Sequence, residues 1–310
     1  MQQFLKDLHT SLQNVYSESE IHVLGMLILE KLTGFSRTRL LTDKEIILNE
    51  TQRELSIHFL ERLKKHEPIQ YILGETEFCG LKFKVSPSVL IPRPETEELV
   101  EWVKPLPQSS LPLSRYVGTS LDFPHKGEEN PPFGGWGGFL DIGTGSGCIA
   151  VALKKKFPSA NVSAMDISAE ALALAKENAA LNEVYIEFIQ DDILHPAATN
   201  RKWDVIVSNP PYIPHAGKAE MASGVLDFEP HLALFVPDGD PLLFYRRIAD
   251  FALEHLTSQG RLYFEIHQSL GRQCCLLLES MGFHSVELRK DLSGNDRMIS
   301  SIPPAKAGGN

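Results

Sequence analysis

Cysteine is scarce in this chain: Cys79, Cys148, Cys274 and Cys275 are the only four in 310 residues, and none stands in a C-x-x-C spacing. That offers neither a disulfide framework nor a thiolate metal site, so a reduced, cytoplasmic setting is the default. The adjacent Cys274 and Cys275 lie in a helical run and read as buried hydrophobes. Eleven histidines are scattered without metal-ligand spacing, so no metal is expected. There is no long uncharged apolar run and no signal or transit sequence, so no membrane contact is expected. Positive charge is also in deficit, with 30 Lys and Arg against 40 Asp and Glu and a net charge of −10. That balance argues against affinity built on neutralising many phosphates, and no direct DNA binding is expected. A local patch could still meet RNA or the ribosome. Internal repeats are absent. What remains is an ordinary globular composition, 43% hydrophobic and 23% charged, in a length that holds about two domains.

Two short motifs stand out. The first is Asn209-Pro210-Pro211-Tyr212, where the apolar strand Trp203–Ser208 runs out. Each proline fixes φ near −65° and brings a carbonyl without an N–H of its own. The corner therefore offers the Asn209 side-chain oxygen, the Pro210 carbonyl and the aromatic face of Tyr212, a set that suits a planar –NH2 on a carboxamide or a base. The second motif is Asp141-Ile142-Gly143-Thr144-Gly145-Ser146-Gly147, a strand end, a glycine-rich turn and the start of a helical run from Cys148 to Phe157. Glycines let the backbone turn sharply and approach a ligand. The spacing is Gly-x-Gly-x-Gly rather than Gly-x-Gly-x-x-Gly, which disfavours a pyrophosphate cradle. The next strand, Asn161–Met165, ends at Asp166, where a carboxylate can take both hydroxyls of a ribose. Together these features point to a nucleoside-bearing cofactor.

Residues 1–74 read as a helical domain. Leu5, Leu8, Leu12 and Val15 recur at helical spacing, as do Leu55, Phe59, Leu60 and Leu63, around a leucine core. Nine Lys and Arg balance ten Asp and Glu over residues 1–70, so no basic stripe is present. Residues 75–104 hold a hairpin, Phe78–Val85 around Gly80, and a helix opened by Pro94 with Glu95, Glu97 and Glu98 at its positive end. Residues 105–138 contain six prolines and six glycines with little periodicity and read as a long loop. Residues 139–303 alternate strand and helix. Ser168 is placed to cap a helix over Ala169–Leu181, Tyr185–Gln190 is a third strand, Leu242–Leu256 and Leu270–Met281 are helices, and Arg261–Ile266 is a fifth strand. Val286–Lys290 and Met298–Ile302 form a closing antiparallel pair. Such alternation predicts a mostly parallel sheet covered on both faces, with ligands outside the strand carboxyl ends. Asp141, Asp166, Asp192 and Asn209 all fall at such ends and are expected to share one crevice. Residues 304–310 read as a tail.

With these pieces in place, the chain resembles the release factor glutamine N5-methyltransferase family (HemK/PrmC type) over roughly residues 60–302. The resemblance rests on Pro68–Gly74, Ile91-Pro92-Arg93-Pro94-Glu95-Thr96-Glu97, Asp141–Gly147, Asn209–Tyr212, Phe228-Glu229-Pro230 and Gly294-Asn295-Asp296-Arg297. It implies a class I S-adenosylmethionine-dependent methyltransferase, a Rossmann-like α/β fold with a mostly parallel seven-stranded sheet, preceded by a small helical domain and a β-hairpin. It implies S-adenosyl-L-methionine as cofactor, with its ribose on Asp166, its methionine end over Asp141, Ile142, Gly143, Thr144 and Gly145, and its adenine bordered by Asp192 and Ile193. Asn209 would touch both cofactor and substrate. Asn209 and Pro210 would bind the acceptor amide, with Pro211 as a wall and Tyr212 flanking its flat face. The implied partners are class I peptide chain release factors, through the glutamine of their Gly-Gly-Gln loop. A family acting on a ribosomal-protein glutamine is similar but usually carries serine where Pro94 stands, and nucleic-acid adenine-N6 methyltransferases share the Asn-Pro-Pro-Tyr corner. The segment 105–138 is longer than the family pattern leads one to expect.

Overall fold

The computed structural model describes residues 2–43, 46–104 and 138–305. The chain begins with five helices: α1 (Gln2–Leu12), α2 (Glu18–Thr33), α3 (Arg37–Thr42), α4 (Glu50–Leu63) and α5 (Ile69–Leu73). Their starts are written locally. Ser17 with Glu20, and Asn49 with Gln52, each form a reciprocal capping box at the head of α2 and α4. Gly34 and Gly74 close α2 and α5 in the left-handed conformation. Leu8, Leu12, Ile21, Ile28, Phe59, Leu63 and Ile72 make one small core. Leu55, expected in that core, is 44% exposed. A period fixes a face only to within one residue, and the α4 face toward α2 is set by Phe59 and Leu63.

The hairpin follows as β1 (Glu75–Phe78) and β2 (Leu81–Lys84), joined by Cys79 and Gly80, both at positive φ (51° and 70°). Two left-handed residues in a row match the twist of a two-residue hairpin. Helix α6 (Pro94–Trp102) has Pro94 at its first position and Glu95 and Glu97 in its first turn. The predicted loop over 105–138 lies outside the described residues, save Gly138, which opens a strand.

The rest alternates. In chain order come β3 (Gly138–Ile142), α7 (Cys148–Lys156), β4 (Asn161–Asp166), α8 (Ala169–Leu181), β5 (Glu187–Gln190) and β6 (Trp203–Ser208). An irregular stretch carries β7 (Ile213–Pro214), α9 (Ser223–Phe228), α10 (His231–Leu234) and β8 (Phe235–Val236). Then follow α11 (Leu243–His255), β9 (Leu256–Glu265), α12 (Gly271–Ser280), β10 (His284–Lys290) and β11 (Asp296–Ile302). The sheet order is β10-β11-β9-β6-β3-β4-β5, with β9, β6, β3, β4 and β5 parallel and the β10–β11 pair antiparallel. This is the expected seven-stranded class I methyltransferase sheet. Tyr185 falls outside β5 and is 79% exposed.

Chain order along the sheet reverses between β3 and β6, so the crevice at their carboxyl ends is the natural ligand site. One core packs on each sheet face: Phe139, Val151, Val162 and Val205 on one, Leu140, Ile206, Tyr245 and Phe264 on the other. The side-chain amide of Asn178 in α8 holds the hairpin to this body, accepting from the Lys84 N–H (2.7 Å) and donating to the Lys84 carbonyl (3.0 Å). Tyr71 of α5 donates to the Val89 carbonyl at 2.6 Å. The helical region and α9 meet backbone to backbone: a Cβ on Gly224 would lie 2.7 Å from the His66 carbonyl oxygen.

Candidate active site

The carboxyl ends of β3, β4, β5 and β6 open on one crevice of about 460 Å3, a size suited to a small-molecule cofactor. Ile142, Gly143, Thr144, Gly145, Asp166, Asp192, Ile193, Asn209, Pro210 and Pro211 all line it. A smaller cleft of about 370 Å3 lies between residues 193–200 and α11, away from the glycine turn and the Asn-Pro-Pro corner.

The glycine turn divides its work. Gly143 (φ 72°) and Gly145 (φ 53°) take left-handed conformations, and a Cβ on either would project into open space with no atom within 4 Å. Gly147 (φ 79°) instead permits packing, since its Cβ would stand 3.0 Å from the Cβ of Ala175 in α8. The turn is stitched to the next strand: the N–H groups of Gly143 and Thr144 donate to the Met165 carbonyl at 2.9 and 3.0 Å. Gly145 N–H donates to Asp166 Oδ2 at 2.8 Å, and Ser168 N–H to Asp166 Oδ1 at 2.9 Å. Each carboxylate oxygen keeps further acceptor capacity toward the crevice. Burial raises the Asp166 pKa, opposed by those two backbone donors.

Asp141 does not line the crevice as expected; it is 1% exposed beneath the turn. Its Oδ2 accepts from the Thr144 hydroxyl (2.6 Å) and the Ala150 N–H (3.2 Å), while Oδ1 is buried without a partner among the described residues. Burial pushes its carboxyl up to about 7 against the pull of those two donors. Asp192 reaches the wall from the loop after β5, with Oδ1 accepting from Leu194 N–H at 2.9 Å and Oδ2 3.1 Å from His195 Nδ1. Ile193 lines the crevice and packs against the core of the α11 face.

At the opposite wall, the Ser208 hydroxyl donates to the Ile142 carbonyl at 2.7 Å and ties the end of β6 to β3. Asn209 donates its Nδ2 to Thr96 Oγ1 at 3.3 Å, and the Thr96 hydroxyl donates to Glu265 Oε2 at 2.6 Å. Tyr212, expected to flank a flat substrate, is not among the lining residues. Its ring sits 5.6 Å from that of His267, and burial raises its phenol pKa to about 12. The ring packs against the core of the α11 face, behind the corner instead of in front of it.

The structure also explains the Pro-Arg-Pro-Glu-Thr-Glu segment. Arg93 bridges to Glu229 at 2.5 Å, and Glu229, 1% exposed at its side chain, also accepts from Ile91 N–H at 3.3 Å. Glu97 accepts from Cys79 N–H (2.8 Å) and Glu98 from Leu292 N–H (3.1 Å). Thr96, Glu265 and the rim residues Pro230–Ala233 were missed by sequence reasoning. For Glu265 a signal existed: a carboxylate inside the apolar run Leu262-Tyr263-Phe264-Glu265-Ile266, 2% exposed, is a buried acid in search of a partner.

The chain is similar to known proteins along most of its length. Residues 131–228 match the methyltransferase small domain family and residues 3–74 the PrmC N-terminal domain family. The release factor glutamine methyltransferase of Flavobacterium psychrophilum is 45% identical over 289 residues, 93% of this chain and 94% of its own. That of Bacteroides thetaiotaomicron is 43% identical, over 95% and 97%. That of Lactococcus lactis is 40% identical, over 88% and 90%.

Proposed function

Since the chain belongs to the release factor glutamine methyltransferase family, we propose that it methylates N5 of the glutamine in the Gly-Gly-Gln loop of class I peptide chain release factors, in the crevice between β3 and β6. The protein is an S-adenosylmethionine-dependent methyltransferase that acts on a release factor glutamine.

The residues present fit that cofactor. Asp141 Oδ1, buried beneath the glycine turn with no partner among the described residues, puts an acceptor under the floor of the crevice, on the side where the ammonium of the methionine end would lie. The open space over Gly143 and Gly145 is a cradle that any Cβ would fill. Asp166 keeps free lone pairs for ribose hydroxyls, and Asp192 and Ile193 give one polar and one apolar edge for an adenine. When bound, the cofactor supplies a methyl group already activated on a sulfonium.

The chain's task is then to orient the acceptor. An amide nitrogen is a poor nucleophile because its lone pair is shared with the carbonyl. Asn209 Oδ1 and the Pro210 carbonyl accept its two N–H groups and aim it, while Pro211 limits what stands beside it. These bonds strengthen as positive charge grows on the nitrogen, which is binding selective for the transition state. Alignment of this kind supplies several kcal/mol, up to roughly 7–11 in well-oriented cases. Tyr212 acts from behind the corner by holding its shape. The domain of residues 1–74 holds the rest of the release factor, joined to residues 139–303 through the hairpin and helix of 75–104.

The observation that carries this reading is the convergence of Asp166, Gly145 and Asn209 on one crevice. Its test is methyl transfer from labelled cofactor to a class I release factor, to the same factor with the loop glutamine changed to glutamate, to ribosomal protein and to DNA. Label is expected on the first alone. Label on adenine, or on ribosomal protein with the release factor untouched, overturns it.

A further inference from the structure

Asn209 can serve an amide –NH2 only if its own side chain presents oxygen to the crevice, and nothing in the Asn-Pro-Pro-Tyr corner itself decides which way that side chain points. The decision lies two hydrogen bonds away. An ionised carboxylate can only accept, so Glu265 takes the single proton of the Thr96 hydroxyl at 2.6 Å. Thr96 Oγ1 then has only lone pairs left and must receive a donor, which Asn209 Nδ2 provides at 3.3 Å. The Asn209 –NH2 is therefore drawn toward Thr96, and Oδ1 is left for the crevice that Asn209 lines.

We propose that Glu265, acting through Thr96, is the positioning residue that makes Asn209 a hydrogen-bond acceptor, and that loss of its charge turns the same side chain into a donor. This rests on the reading of Asn209 given above. A protonated Glu265 can donate to Thr96, which frees the Thr96 proton to point at Asn209. The Asn209 amide can then reverse and show the crevice an –NH2 where the substrate also brings an –NH2.

The surroundings place this switch in an accessible range. Arg297 on β11 faces Glu265 and favours its charge, whereas Glu95 on α6 opposes it. Tyr212 stands near it from the corner, with Arg93 and Arg297 acting on that phenol. Asp291 binds Arg297 at 3.0 Å and shares its charge, and His267, just after β9, is held low by burial and by Arg297. Burial outweighs the rest, and Glu265 titrates at about 7.

The test uses the full chain, a class I release factor and saturating cofactor, with kcat read from about pH 5.5 to 8.5. For the wild type, kcat should fall about tenfold per pH unit on the acid side of this transition. Glu265→Gln should lose that limb and run slower at the alkaline end, with cofactor affinity unchanged. Thr96→Val should cut the relay and flatten the profile in the same way, whereas Thr96→Ser should restore both rate and limb. A purely structural role for Glu265 would lower the amount of folded protein without moving the profile. If Glu265→Gln keeps the wild-type acid limb, or Thr96→Val works at the wild-type rate, the proposal is wrong. Should Glu265→Gln fail to bind cofactor, the Thr96→Val and Thr96→Ser pair decides alone. Absence of label on the release factor with the wild type at alkaline pH would instead remove the functional reading beneath it.

Discussion

The two walls of the crevice are put together differently. The wall formed by the turn after β3 is assembled within residues 141–178: glycines open it, Asp141 is buried beneath it, Asp166 clamps it through Gly145 N–H, and α8 backs it through Ala175 and Asn178. The facing wall draws on residues far apart in the chain. Asn209 depends on Thr96 and Glu265, and the loop carrying Arg93 depends on Glu229. The first wall holds its shape by backbone and side-chain bonds to the strand and helix that directly follow it. The second holds it by side-chain bonds that span 113 to 169 residues. A wall of the first kind can be damaged only where it stands, whereas one of the second kind can be damaged from a distance.

If that division is right, substitutions on the two walls should separate chemistry from cofactor binding. The largest effect is expected at Asn209→Ala. Methyl-transfer rate should drop by on the order of 10²–10³, the usual result of losing one preorganised polar group at a reacting centre. Calorimetry should find cofactor bound and the fold intact, since Asn209 ends a strand at the crevice. A folded, cofactor-binding variant with normal turnover would take Asn209 out of the mechanism.

On the other wall, Asp166→Ala should weaken cofactor binding by about 1.5–3 kcal/mol, the usual worth of hydrogen bonds to a charged group. Unchanged affinity in a titration would end the ribose assignment. Arg93→Ala tests damage from a distance. It leaves the buried Glu229 carboxylate short of its partner and should cost about 1–3 kcal/mol of stability by denaturant titration. Cofactor affinity should hardly move; a matching loss of affinity would show that the walls are not independent.

Another effect is shared by both walls. Asp141 and Glu265 titrate at about 7 in the fold, above ordinary carboxylates. Each therefore stabilises the fold fully below its unfolded pKa, and that contribution is lost as pH rises through about 7. Melting of the protein without cofactor should fall between about pH 5 and 8 by roughly 2–4 °C for each kcal/mol lost. Glu265→Gln should flatten part of that fall. A melting temperature that climbs over this range would mean that the two acids are not held neutral by burial.

The same contrast explains what could be read from the sequence. The strand ends at Asp166 and Ser208, the Ser168 cap and the Pro94 helix start were legible because each is decided by neighbours within a few residues. So was the gathering of Asp166, Asp192 and Asn209, because it follows from strand order alone. The depth of a side chain was not legible. Asp141 and Tyr212 carry plausible ligand chemistry but lie under and behind the surface, which depends on how the turn and corner pack. Thr96 and Glu265 are ordinary residues until the fold sets them 2.6 Å apart. The Pro-Arg-Pro-Glu-Thr-Glu segment was noticed as a motif, yet its meaning lies in partners at residues 79, 229, 265 and 292.

Gly224 approaches the His66 carbonyl so closely that a single added carbon would stand 2.7 Å from it. A contact between two backbones has no rotamer through which to yield, so it behaves as a spacer block between the helical region and the crevice rim that follows α9. On the reading that the helical region grips the release factor, this block fixes how far a glutamine must protrude from its own protein to reach Asn209. Reach, more than local sequence, then becomes a criterion of selection: a glutamine on a shorter loop stops short of the corner, and one on a longer loop overshoots it.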